Sequence, residues 1–349
     1  MGDFPASPDE VTPRWLSDVL GVEVSDLRWE PIGTGQVGDS VRFDVEYAGE
    51  AGPATLAAKF PAADATSRGT ATMFGLYAKE VQFYREIAAG IDVRTPKALV
   101  AEVAEDGGDF VLLFEDLGPA RGGNQLDSCS LADARYGIEQ AAALHAPSWR
   151  NDEILKRDWL QPNETAAAQV RAMYPQAQTI FSERYADTLE PEYMALCEAL
   201  AASDAWLNRE PEHISLVHGD FRLDNMLFDI RGSAEPIAVL DWQTLTIGNG
   251  LTDIGYFLGC GIGDELRRSH EDELLDLYCS EMTRRGVALT RDDIWRDYVV
   301  GALHGVATAV FSAAFVERTE RGDANFLSMA RGACALALEH DSLKLLEEG

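Results

Sequence analysis

The chain has 349 residues, 46% of them hydrophobic, enough on ordinary domain sizes for two lobes with substantial cores. Against 29 Lys and Arg stand 59 Asp and Glu, a formal charge of -30 whose field repels phosphate backbones, so no nucleic-acid partner is expected. Five cysteines, Cys129, Cys197, Cys260, Cys279 and Cys334, are scattered and never in CxxC spacing, which points away from a disulfide framework or zinc site and toward a reducing cytoplasm.

Met1 to Glu10 is acidic and lacks the basic-then-apolar pattern of an export signal, so no export is expected. Pro8 to Leu20 predicts a helix. Val41, Phe43, Val45 and Tyr47 then alternate with Arg42, Asp44 and Glu46, the period-two pattern of a half-buried strand. Thr55 to Phe60 reads as its hairpin partner across a turn containing Gly49 and Gly52. Tyr77 to Ala89 predicts a helix with Val81, Tyr84 and Ala88 on one stripe and Gly90 as its stop. Two further strands are expected at Ala98 to Val103 and Phe110 to Phe114. Past Leu117 the texture turns helical, with helices expected over 131–149, 164–182, 190–207, 265–285, 291–317 and from about 323. Within this region Val299 to Val316 is long and uncharged enough to raise the question of a membrane span. It is rich in Ala and Gly and contains His304, Thr308 and Ser312, so it reads as a buried core helix and no membrane association is expected.

One strand-rich island, Ile214 to Asp241, interrupts the helices, and short strands of this kind hold loop ends rigidly. It contains Val217-His218-Gly219-Asp220-Phe221-Arg222-Leu223-Asp224-Asn225 and, after an apolar run, Asp241-Trp242-Gln243. An Asp followed five positions later by an Asn, with a second Asp ending a strand, suits phosphoryl transfer: Asp220 takes the proton of an acceptor hydroxyl, and Asn225 and Asp241 hold magnesium against phosphates. Two carboxylates about 4 Å apart repel by roughly 4 kcal/mol at an effective dielectric of about 20, which calls for a cation. Taken alone, His-Gly-Asp could be a turn and Asp241 an ordinary strand end; their order and spacing together favour the chemical reading.

Gly33-Thr34-Gly35-Gln36-Val37-Gly38 fits GxGxxG, a pattern shared with dinucleotide-binding folds. There the loop opens a helix. Here Ser40 to Tyr47 alternates as a strand, the context of a glycine loop over ATP phosphates, with Gly33, Gly35 and Gly38 as its backbone contacts. Lys59, near the end of an apolar strand, either snorkels to the surface or reaches the phosphates, and Glu80 on the next helix is its expected partner or else part of a solvated face. The apolar strand 111–114 runs out into Glu115-Asp116-Leu117-Gly118, where the backbone of Glu115 and Leu117 is expected to meet adenine.

These segments resemble the aminoglycoside phosphotransferase and choline kinase superfamily, most closely its ecdysteroid-kinase-like branch. The resemblance runs over residues 33 to 258 and rests on Lys59, the Lys-Glu-Val-Gln-Phe-Tyr-Arg-Glu-Ile helix, Phe114 to Leu117, Leu144-His145-Ala146, His218 to Asn225, and Asp241-Trp242-Gln243 followed by Asp253. It implies an α+β, two-lobed, protein-kinase-like fold: a small antiparallel-sheet lobe over 1–116 with the glycine loop and lysine, and a larger, mainly helical lobe over 117–349 with the catalytic loop. It also implies an ATP- and Mg2+-dependent kinase in which Asp220 is the base, Asn225 and Asp241 the metal ligands, Lys59 the phosphate lysine and Glu80 its partner, with structural roles for His145, His218, Trp242 and Asp253. DFG and APE motifs are missing and only twelve positions separate Asp241 from Asp253, so the expected acceptor is a small hydroxyl compound, and no protein partner is evident. The alternatives are a catalytically silent nucleotide-binding pseudokinase, against which all five polar positions stand unreplaced, and a metal-dependent hydrolase, for which residues 216–228 offer no ligand cluster beyond Asp224.

Overall fold

The alternation at Val41 to Tyr47 lies in a strand, β2 (Gly38–Tyr47), with Val41, Phe43 and Val45 buried and Asp44 and Glu46 exposed. The computed structural model describes residues 4–33, 37–49, 52–161, 163–209, 214–316 and 318–348. β2 pairs with β3 (Thr55–Pro61) as an antiparallel hairpin in which Val41 faces Ala58 and Phe43 faces Leu56. With β1 (Val24–Pro31), β4 (Ala98–Val103) and β5 (Phe110–Glu115) they form an antiparallel sheet in the order β1-β2-β3-β5-β4. β1 escaped the sequence pattern because it is an edge strand with a single buried residue, Val24.

The chain divides into two compact units, residues 1–120 with 229–245, and residues 121–228 with 246–349. In the first, Val41, Phe43, Leu56, Ala58, Phe60, Val111 and Leu113 form one sheet face and bury Leu16 of the Pro13–Leu20 helix. That helix is capped by the Thr12 side chain, which accepts from Trp15 N, so the expected Pro8 start becomes a separate turn, Pro8–Glu10. The opposite face carries Phe110 and Phe114, which meet Tyr77 and Tyr84 of the Leu76–Glu86 helix at ring-centroid distances of 4.4 and 4.8 Å. A helix at Ala65–Met73 was not anticipated. The returning segment brings the strand Glu235–Val239 and buried Trp242, stacked on Phe83 at 3.9 Å and 13°.

The second unit is built around the Arg291–Phe315 helix, whose Thr290–Asp293 capping box fixes its start. Its apolar stretch is 67% buried, and Leu303, Val306 and Val310 share a core with Phe181, Tyr256 and Met329. The stretch therefore packs inside the unit, as expected of a core helix. The helix expected over 190–207 breaks at Ser203, which caps a new turn, Asp204–Leu207. Two short ladders bracket the island: Ser215–Val217 pairs with Thr246–Gly248, and Arg121 and Gly122 pair with Phe228 and Leu227. The helix Leu251–Tyr256 meets Arg291–Phe315 at glycines, since a Cβ on Gly255 would lie 2.5 Å from Ala302 N and one on Gly301 2.6 Å from Leu251 O.

Candidate active site

In the first unit, Lys59 stands on β3 between Ser40 of β2 and Leu112 of β5. Strand alternation sends Ala58 and Phe60 into the core below, so Lys59 points to the face covered by the Leu76–Glu86 helix. There its Nζ donates to Glu80 Oε2 at 2.8 Å and to Asp241 Oδ1 at 3.1 Å. Lys59 and Glu80 are 9% and 1% exposed, which removes the snorkelling and solvated-face readings of the two. Burial works to lower the Lys59 pKa, but the charges of Asp241 and Glu80 outweigh it and raise the value, keeping the ammonium protonated. Glu80 Oε1 also accepts from the Trp242 backbone N–H at 3.3 Å, which ties the returning segment to the helix.

Asp241 adopts the left-handed region, at φ 61, a conformation costing an L residue roughly 1–2 kcal/mol that Asp tolerates better than most. The turn leaves its side chain 40% exposed, and Oδ2 makes no hydrogen bond among the described residues. Of the glycine loop, Gly35 lies outside the described residues. Gly33 has φ 77, and a Cβ on Gly38 would lie 3.3 Å from Lys59 Cε, so glycine lets the lysine stem pass. Tyr77 anchors the end of this loop by donating to Val37 O at 2.7 Å.

Glu115 belongs to an ion network. Its carboxylate accepts from Arg94 Nη1 at 2.8 Å, from Lys97 N at 2.9 Å and from Arg231. Burial raises its pKa, but the Lys97 N–H and Arg94 prevail and hold it below the ordinary range. The Glu115 N–H donates to Lys97 O at 3.0 Å. The Leu117 N–H makes no hydrogen bond among the described residues, while Leu117 O accepts from Arg231 N at 3.1 Å.

In the second unit the loop from His218 to Asn225 is held by its backbone. Fully buried Asp253 accepts the N–H of His218 at 2.7 Å and of Gly219 at 2.9 Å, and is itself met by His145 Nε2 at 3.2 Å. His304 Nε2 donates to Gly219 O at 2.9 Å. Gly219 has φ 82, where a side chain would be strained, which explains the glycine before Asp220. Asp220 accepts from Arg222 Nε at 2.8 Å, Tyr256 OH at 2.9 Å and Asn225 Nδ2 at 2.7 Å. Burial raises its pKa, yet Arg222, His218 and the hydrogen bonds from Asn225 and Tyr256 win, and the carboxyl sits below its ordinary value, ionised at neutral pH.

Asn225 Nδ2 faces the Asp220 carboxylate and, at 2.9 Å, the Asp220 carbonyl. With acceptors on that side, the amide oxygen must point the other way, and Oδ1 makes no hydrogen bond among the described residues. Arg222 and Asp224 pair with each other: Arg222 Nη1 donates to Asp224 Oδ2 at 2.7 Å, and Asp224 also accepts from Gln125 N at 3.0 Å. Lys59, Glu80 and Asp241 are thus one ion cluster, and Asp220, Asn225, Arg222 and Asp224 one hydrogen-bonded loop. Tyr256 and His304 were missed from sequence, where each sits in an apolar run like any core residue.

The profile of the ecdysteroid kinase-like family matches residues 38–289. The chain belongs to that family. Its fold is shared with choline kinase from Cryptosporidium parvum Iowa II (TM-score 0.53, 12% identity, 98% of this chain and 93% of that one). It is shared equally with spectinomycin phosphotransferase in complex with ADP and spectinomycin (TM-score 0.52, 12% identity, 95% and 99%). The family member therefore has the expected α+β, two-lobed, protein-kinase-like fold. Among curated proteins it is similar to acyl-CoA dehydrogenase family member 11 of Pongo abelii, 35% identical over 85 residues, or 22% of this chain and 11% of that protein. The match thus spans about a tenth of that relative's length.

Proposed function

We propose that the chain transfers the γ-phosphoryl group of Mg-ATP to a hydroxyl of a small molecule. The observation that carries this reading is the buried Lys59, paired with Glu80 and Asp241 while Asp241 keeps an unengaged, partly exposed oxygen. A buried ion pair is a poor source of net stability. A lysine held charged by two carboxylates, one of them half-open, is instead suited to a phosphate and its cation.

The donor set fits magnesium. Mg2+ takes oxygen ligands, and Asp241 Oδ2 and Asn225 Oδ1 are oxygens without hydrogen bonds among the described residues. When bound, the ion would neutralise phosphate charge, which a chain of net charge -30 needs in order to hold a polyphosphate. Lys59 would bind a phosphate oxygen, with Glu80 setting its reach. The Leu117 N–H would meet adenine. Asp220, ionised at neutral pH, would orient the acceptor hydroxyl and take its proton; a carboxylate of low pKa does so late, which a loose phosphoryl-transfer transition state permits. The five cysteines, all free thiols, favour a cytoplasmic setting.

The test is ADP release with ATP and magnesium across hydroxyl compounds that include amino alcohols, sugars, amino-acid derivatives, hydroxy acids and sterols. Acceptor-dependent release, abolished in Lys59→Ala and retained in Lys79→Ala, is the expected result. No release with any acceptor, together with no nucleotide binding, refutes the reading.

A further inference from the structure

Asp220 is gripped more tightly than its place in the motif announces. Oδ1 accepts Arg222 Nε–H at 2.8 Å and the Tyr256 hydroxyl at 2.9 Å, whereas Oδ2 accepts Asn225 Nδ2–H at 2.7 Å. A carboxylate oxygen offers two lone pairs, so Oδ1 is filled and Oδ2 keeps one. Tyr256 is fully buried, and Asp220 is the partner of its hydroxyl among the described residues.

The Leu251–Tyr256 helix reaches this loop twice. Asp253 takes its backbone N–H groups, and Tyr256, three positions on and therefore on the same helical face, takes the side chain of Asp220. His304 sets the phenol ring, edge-on at 5.3 Å and 85°, while donating to Gly219 O. Gly255, beside Tyr256, brings the helix to within backbone contact of Arg291–Phe315. The phenol is thus placed by packing on one side and by the loop on the other.

We propose that Tyr256 is a positioning residue for phosphoryl transfer: with Arg222 it occupies Oδ1, fixes the rotation of the Asp220 carboxylate, and leaves Oδ2 to receive the proton of the acceptor hydroxyl. The inference rests on the kinase reading above. In the step, the acceptor O–H proton passes to Asp220 Oδ2 while the acceptor oxygen bonds to the γ-phosphorus. The bond from that phosphorus to the bridging oxygen breaks, and ADP leaves with its electron pair. Tyr256 gives up no proton. The Asp χ2 torsion is soft, so without the phenol the carboxylate turns more freely and a vacated Oδ1 lone pair competes for the hydroxyl.

Tyr256→Phe removes one oxygen and keeps the ring. Turnover is expected to fall about ten- to hundredfold, the scale of a misplaced reacting group, with Mg-ATP affinity and nucleotide KM unchanged. Tyr298→Phe, which removes another buried hydroxyl, one bonded to Glu271, is the control: it shifts Tm and leaves turnover per folded molecule unchanged. In tyrosine-labelled protein the Tyr256 hydroxyl proton is expected as a slowly exchanging resonance that vanishes in Tyr256→Phe and moves in Asp220→Asn. Unchanged turnover in Tyr256→Phe, an equal loss of turnover and nucleotide affinity, or a hydroxyl exchanging at the solvent rate overturns the proposal. A wild-type chain that neither binds Mg-ATP nor turns over any acceptor refutes the kinase reading instead, and the hydroxyl resonance then decides whether Tyr256 holds Asp220.

Discussion

Asp220 and Asp241 are both aspartates at loop ends, yet their surroundings separate the work assigned to them. Asp220 spends three lone pairs on internal donors, whereas Asp241 spends one oxygen on Lys59 and leaves the other open. Asp220→Asn is therefore expected to keep Mg-ATP affinity and lose turnover by about 10² to 10⁴, the range for loss of a general base. Asp241→Asn removes charge beside the proposed metal and is expected to weaken magnesium-dependent nucleotide binding as well. Nucleotide titrations of both variants with and without magnesium separate them; the reverse pattern would exchange the two roles. A second consequence concerns acid. Low-dielectric surroundings push His304 below its ordinary pKa, so its proton prefers the unfolded chain. The stability it lends is present above about pH 6.5 and is lost as pH falls through the lowered folded value. Burial of Asp253 is outweighed by His145, His218 and the Gly219 N–H, so its pKa is also depressed. Its contribution is present above about pH 3.9 and lost below. Tm should decline in two stages on acidification, and His304→Gln, which keeps a donor for Gly219 O, should erase only the first. A variant curve of wild-type shape would remove His304 from that account.

The elements show which sequence signals carry and which do not. The β2–β3 hairpin was legible because one buried face forces alternation, and Lys59 was legible because an ammonium among Ala57, Ala58 and Phe60 demands a reason. β1 was silent, since a solvated edge strand imposes no period. Tyr256 was silent for the opposite reason: in Asp253-Ile254-Gly255-Tyr256-Phe257-Leu258 every neighbour is buried, and a phenol with a charged partner has the same pattern as one that only fills space. The bond from Gln125 N to Asp224 was equally hidden, because 99 positions separate the two and they are close only in the folded chain. The glycine crossing of the Leu251–Tyr256 and Arg291–Phe315 helices is the element-scale device that sets Asp253 and Tyr256. Gly301→Ala would place a Cβ 2.6 Å from Leu251 O, with backbone on both sides. We expect a loss of roughly 1–3 kcal/mol in denaturant stability, as for overpacking, and a fall in turnover beyond what the folded fraction explains. Wild-type stability in that variant would mean the crossing is looser than its distances state.

For the whole molecule, a ligand that binds only the folded chain raises its stability, by about 2.7 kcal/mol at 100 times Kd. ATP with magnesium should therefore raise Tm, and EDTA should cancel the rise, because Asn225 and Asp241 are proposed to reach nucleotide through the metal. A shift indifferent to EDTA would remove the metal from the proposal. Added salt should strengthen nucleotide binding at first, since it screens the repulsion of a chain carrying -30. The first unit is assembled from two stretches of chain, and Lys59 meets Asp241 across 182 positions. During synthesis at about 5–20 residues per second, Lys59 emerges on the order of ten to forty seconds before its second counter-ion exists. Until then it has Glu80 alone, so the Lys59–Glu80–Asp241 cluster cannot close while the ribosome is still building the helical region between, and the nucleotide capture proposed for it waits until most of the polypeptide has been made.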